Sequence, residues 1–243
     1  VSFVFSHPTG TFSGESGIGQ LVLAGGAEFG GRMSEPDLRA LELAGGLAAP
    51  VRILPAAAAP DHNQQRAGGN GVRWFKSLGA KDVEVVYVID RASAHDPSLA
   101  ASLRTARLIY LLGGFPRHLG DTLADSPAWA AVLEAYADGA VLAGSSAGAM
   151  VLCEHYYDPY EGKLLHGLNL VPNACVLPHH NRSGKRWAAQ LTGRLPGAVL
   201  IGIDEGTGMI ASGAEWTVSG AGAVTLYLGG QVRVHAPGES FAF

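Results

Sequence analysis

Four groups of residues could do chemistry together: Gly113-Gly114, Ser146, His179-His180 and Asp204-Glu205. Ser146 is the centre of Gly144-Ser145-Ser146-Ala147-Gly148, a G-x-S-x-G pattern between two apolar runs, Ala140–Ala143 and Ala149–Cys153. Between a strand and a helix this pattern is a nucleophile elbow, whose sharp turn lifts one serine hydroxyl clear of the sheet edge. A hydroxyl attacks poorly until an imidazole takes its proton, and the imidazole needs an acceptor to hold its tautomer and charged form. Ser146 is therefore the candidate nucleophile, His179 or His180 the base, and Asp204-Glu205 the source of the acid. Asp158, Glu154 and Glu161 are rival acids, being near the elbow in sequence. Neighbouring strand residues point to opposite faces, so at most one of the two histidines should reach Ser146. Acyl transfer also needs N–H donors for an oxyanion. Ala147, directly after the nucleophile, is one candidate, and Gly113 or Gly114 the other.

Each piece alone has an ordinary explanation: a glycine-rich turn, a strand-end histidine, a solvated loop acid. His155, His166, His179 and His180 match no common metal-ligand spacing, so no metal and no other cofactor is expected.

The elements that must position these groups read as an α/β alternation. Leu21–Ala24, Val51–Pro55, Val83–Ile89, Leu108–Leu112 and Ala140–Ala143 are short apolar strands ended by glycine, proline or polar residues. Between them lie helical segments. One opens at Ser34 with Glu35, Pro36 and Asp37 in its first turn, and another runs from Asn63 to Leu78, broken or delayed by Gly68, Gly69 and Gly71. Others start at Asp96-Pro97-Ser98 and at Pro127. Phe115-Pro116 reads as loop. After the elbow, 154–166 is irregular with a turn at Asp158-Pro159-Tyr160. Ala174–Leu177 and Val199–Ile203 are strands around a helix at Trp187–Leu195, and 209–234 is an antiparallel meander at the sheet edge. The expected fold is a three-layer α/β sandwich: one mixed, mostly parallel sheet, helices on both faces, and a C-terminal meander. Sites in such sheets gather outside the carboxyl ends of the strands, where the four groups fall.

The 47% hydrophobic content supports a large core, and 34 glycines suit a wound sheet better than a helical bundle. A net charge of −4 argues against a nucleic-acid or anionic-membrane partner. Cys153 and Cys175 lie in apolar segments and read as buried thiols. Residues 1–19 are expected to be a flexible extension and 20–243 one domain, in a cytoplasmic protein. A homo-oligomer is left open.

In this order the motifs resemble the dipeptidase E and cyanophycinase family of serine peptidases, which has a class I glutamine-amidotransferase-like fold. The resemblance rests on Leu23–Glu28, Leu111–Gly114, Gly144–Ala149, Gly167–Pro172 with Pro178-His179, and Gly202–Thr207. It implies Ser146 as nucleophile, His179 as base in preference to His180, and Glu205 as acid, with Asp158 as the alternative acid of the dipeptidase branch. It further implies a small peptide substrate, foremost a dipeptide with an N-terminal aspartate. Arg182, Lys185 and Arg186 lie where that family's dipeptidases hold the substrate carboxylate. A β-aspartyl-arginine substrate and a catalytically inactive, ligand-binding homologue are the alternatives. Phe115-Pro116 departs from the family's polar residues after the glycine pair.

Overall fold

A computed structural model describes residues 19–243; the extension expected over 1–19 lies, but for Gly19, outside the described residues. The chain builds two sheets. The first contains five parallel strands, β1 (Leu21–Ala24), β2 (Val51–Leu54), β3 (Val83–Val85), β4 (Leu108–Leu111) and β5 (Val141–Ser145), ordered β1-β5-β4-β2-β3 with β3 at the edge. The second contains β6 (Cys153–Asp158), β7 (Lys163–His166), β8 (Val171–Leu177) and β9 (Val199–Ile203), with β6, β8 and β9 parallel.

The tail divides between them. β10 (Thr207–Ser212), β11 (Glu215–Gly220) and β14 (Ser240–Phe241) extend the first sheet antiparallel beyond β1, while β12 (Val224–Leu228) and β13 (Gln231–His235) extend the second beyond β9. The α/β class and the flanking helices are as the sequence predicts, but the single sheet and its one meander are not. Hydrophobic patterning shows which residues are strands; it carries no record of which ladder a strand joins.

Helices α1 (Ser34–Leu43) and α2 (Gln64–Ser77) cover one face of the first sheet, where Ala40, Leu41 and Phe75 meet Val22, Ile53, Tyr110 and Ala143. The opposite face carries Leu21, Leu23, Ile109, Leu111 and Leu142. It packs on α3 (Pro97–Arg104), α5 (Pro127–Ala137) and α6 (Ala147–Leu152), and on Val176, Val199 and Ile201 of the second sheet. Alternate residues of each strand thus feed two cores, as the pleat requires. Helix α4 (Pro116–Leu123) begins where the sequence suggests only a loop; proline at its start has the fixed φ a first turn needs. Helix α7 (Lys185–Thr192) covers the outer face of the second sheet through Ala188 and Leu191.

Three further expectations change. The helix of α2 runs unbroken through Gly68, Gly69 and Gly71, because a Cβ at Gly71 would lie 2.5 Å from Ile53 Cδ1, so bare backbone lets the helix seat on the sheet. Strand β3 ends at Val85 rather than Ile89. The segment 154–166 is a paired β6–β7 hairpin rather than an irregular stretch. Cys153 and Cys175 are free and buried, as expected. Among the described residues no helix is long and apolar enough to cross a membrane.

Candidate active site

The two sheets meet at the ends of β1, β5, β8 and β9, and the three candidate side chains come from both of them. Ser146 follows β5 with φ 49° and ψ −110°, a strained backbone that costs about 1–3 kcal/mol and persists only where its surroundings impose it. Here they do. A Cβ on Gly144 would lie 2.5 Å from the Gly148 carbonyl carbon, and one on Gly148 would lie 2.3 Å from the Leu111 carbonyl oxygen. Both outer glycines of the motif are spacings, letting strand, turn and helix close tightly around Ser146.

His179 follows β8 in a left-handed conformation, φ 49° and ψ 39°. Its N–H donates to the Gly25 carbonyl (2.7 Å), and Gly206 N–H donates to the Gly26 carbonyl (3.1 Å). The turn after β1 therefore pins both segments from the second sheet against the first. In the result, Ser146 Oγ is 3.0 Å from His179 Nε2, and His179 Nδ1 is 2.9 Å from Glu205 Oε1. The second oxygen of Glu205 receives Arg182 Nε at 2.6 Å, and its backbone N–H donates to Asn181 Oδ1 (3.1 Å). Such a chain can pass a proton from hydroxyl to imidazole while the carboxylate holds the ring and its charge.

The rivals lie elsewhere. His180, buried, bonds Tyr227 OH through Nε2 (2.8 Å) and has Nδ1 3.5 Å from Asp204; burial pushes its pKa down, partly offset by Asp204. Asp158 is buried at the end of β6, where it accepts from Tyr160 N–H (2.9 Å). Glu154 bonds Asn173 N–H, and Glu161 pairs with Arg117 and Lys163. Arg186 is exposed.

Of the candidate oxyanion donors, Ala147 opens α6, so its N–H has no acceptor within the helix. Gly113 stands close to Ser146: a Cβ there would be 3.2 Å from the serine Cβ. Its N–H, however, donates to Glu28 Oε1 (3.1 Å), while Ser145 Oγ donates to Glu28 Oε2 (2.8 Å). Glu28 therefore braces both the glycine loop and the serine preceding Ser146. Sequence reasoning gave it no role; its place after the Gly25-Gly26 turn was the only signal.

Behind this brace lies Asp37 of α1, fully buried, with Oδ2 accepting from Trp74 Nε1 (2.7 Å) and Oδ1 without a partner among the described residues. Burial pushes its carboxyl up from 3.8 to about 7, and the Glu28 charge adds to the effect. A groove of 910 Å³ runs from Gly113-Gly114 and Glu28 along α2 to Arg66 and Arg73. Among the described residues each of these arginines bonds only a nearby asparagine: Arg66 bonds Asn63, just before α2, and Arg73 bonds Asn70 within it.

Residues 21–218 match peptidase family S51. The cyanophycinase of Trichormus variabilis is 30% identical over 195 residues, 75% of this chain and 64% of that protein. The chain thus spans less than two thirds of that relative's length. The cyanophycinase of Geminocystis herdmanii is 30% identical over 218 residues, 85% of this chain and 79% of that protein. Among solved structures, a peptidase from an acI-B1 Actinobacterium superposes with a TM-score of 0.82 at 31% identity, covering 93% of this chain and 98% of the other. With a family match over most of its length and a fold shared with a solved peptidase, the chain belongs to peptidase family S51.

Proposed function

We propose that the chain is a serine peptidase that hydrolyses short peptides through an acyl-enzyme, with Ser146 as nucleophile, His179 as general base and Glu205 as orienting acid. The observation that carries this reading is the continuous contact Ser146 Oγ–His179 Nε2–Glu205, at 3.0 and 2.9 Å. Ser146 Oγ attacks the scissile carbonyl carbon as its proton moves to His179 Nε2. The oxyanion then meets the Ala147 N–H, with Gly114 as partner because Gly113 N–H is committed to Glu28. The C–N bond breaks as His179 returns the proton to the departing amine. Water, deprotonated by His179, next attacks the ester; its C–O bond breaks as His179 returns that proton to Ser146 Oγ, and the acyl group leaves as the carboxylic acid. No step calls for a metal or cofactor.

For substrate, the leading reading is a dipeptide with an N-terminal aspartate. Arg182 uses its Nε on Glu205 and keeps the rest of its guanidinium for a second carboxylate. Arg186, one turn on, is the further candidate. The second reading is a β-aspartyl-arginine peptide. It is favoured by the cyanophycinase relatives and by the groove leading from Gly113-Gly114 to Arg66 and Arg73, which would hold an acidic substrate longer than two residues.

Turnover of Asp-Leu against β-Asp-Arg and its oligomers separates the two. Ser146→Ala should abolish both activities with the fold intact. Labelling of Ser146 by a fluorophosphonate, absent in Ser146→Ala, tests the nucleophile without knowledge of the substrate. An unlabelled wild-type protein would instead favour a homologue that binds without turnover.

A further inference from the structure

Outside this site, the β6–β7 hairpin assembles three metal-ligating side chains. His155 and His166 are ladder partners across the antiparallel pair, with ring centroids 5.2 Å apart. Cross-strand partners have Cβ atoms about 4.5–5.5 Å apart, a spacing from which two imidazoles can converge on one point. The third group is Glu154. Between Val171 and Cys175, β8 carries extra residues against β6, and Asn173 there is left-handed, with φ 54°. The irregularity turns Asn173 N–H onto Glu154 Oε2 (2.7 Å), and the other oxygen of Glu154 stands 3.5 Å from His155 Nε2. One ligand atom from each of Glu154, His155 and His166 lies within 4.8 Å of the others.

We propose that Glu154, His155 and His166 form a binding site for a divalent transition-metal ion of the zinc class. Two imidazoles and one carboxylate are ligands that zinc, copper and nickel take, whereas calcium and magnesium prefer oxygen alone. Ligand atoms of a tetrahedral zinc lie about 3.3 Å apart, following from bonds of about 2.0–2.1 Å. The Glu154–His155 separation already meets this, and His166, at the surface, supplies the remaining movement. The Asn173 N–H holds the carboxylate from behind, as outer-shell donors do in metal centres. The fourth position faces solvent and takes water. The ion would clamp the open end of a hairpin whose tip stacks Tyr160 on Phe115, at a ring separation of 4.5 Å, beside the Gly113-Gly114 loop. The four-histidine spacing of the sequence does not show the site, because strand pairing brings together residues eleven apart.

Zn²⁺ titration against a chromogenic competitor, with parallel thermal melts, tests the site in wild type, His166→Ala and Glu154→Gln. The wild type should bind one Zn²⁺ at least tenfold tighter than either variant, and Zn²⁺ should raise its Tm but not theirs. Both variants keep His179, so zinc held at Ser146–His179 would persist in all three proteins. Equal affinity across the three, or no stoichiometric binding by wild type, overturns the proposal. Peptidase activity without added metal should be unchanged in His166→Ala.

Discussion

The imidazole of His179 occupies the space a side chain on Gly26 would need. A Cβ at Gly26 would lie 2.3 Å from His179 Cε1 and 2.8 Å from both ring nitrogens, at a backbone φ of +112°. The absence of that one carbon lets the ring lie between Ser146 and Glu205. Gly26→Ala should therefore displace the ring while most of the fold, which is built elsewhere, survives. A misplacement of about 1 Å can cost about 100-fold in rate. The rate of fluorophosphonate labelling should fall by that order, with the melting curve only modestly lowered.

The identity of the acid is open to a direct comparison. Glu205 touches His179 Nδ1, whereas Asp158 caps the turn at Tyr160. Glu205→Gln should lower kcat by several orders of magnitude, approaching the roughly 10⁴-fold loss when a triad acid becomes its amide. Asp158→Asn should change kcat by less than about tenfold. Parallel kinetics of the two variants on one substrate would expose a reversal.

Glu28 is expected to act through the groups it holds. Glu28→Ala leaves Gly113 N–H and the Ser145 hydroxyl without their shared acceptor, and hydrogen bonds to a charged group are worth about 1.5–3 kcal/mol each. We expect kcat to fall about 10- to 100-fold with a smaller change in KM. Glu28→Gln, which keeps an acceptor oxygen, should recover most of the loss. A purely structural role would lower Tm in both variants without separating their kcat values.

Asp37 supplies a pH dependence with a defined sign. Its folded carboxyl titrates near 7 against 3.8 ordinarily, so folding favours the protonated form. The stability is fully present below about pH 4 and declines as pH rises through 7, by up to about 4 kcal/mol. Asp37→Asn keeps an oxygen for Trp74 Nε1 and removes the titration. Urea unfolding at pH 5 and pH 8 should show wild type losing stability relative to the variant at the higher pH. Parallel behaviour of the two proteins would contradict it.

The strand and helix periodicities, the G-x-S-x-G turn and the glycine pair after β4 were legible from residue order, because each is a local demand of backbone geometry. So was the placing of Ser146, His179 and Glu205 each at the carboxyl end of a strand; that these ends belong to two sheets which meet there was not. Residue types alone left His179 and His180 interchangeable; the family resemblance preferred His179, and the left-handed turn at His179 and the Tyr227 contact of His180 part them in space. The division into two sheets, the bracing by Glu28 and the meeting of Glu154, His155 and His166 depend on which strands pair and in what register. Those choices are made by long-range packing, where apolar faces find partners that no local spacing encodes.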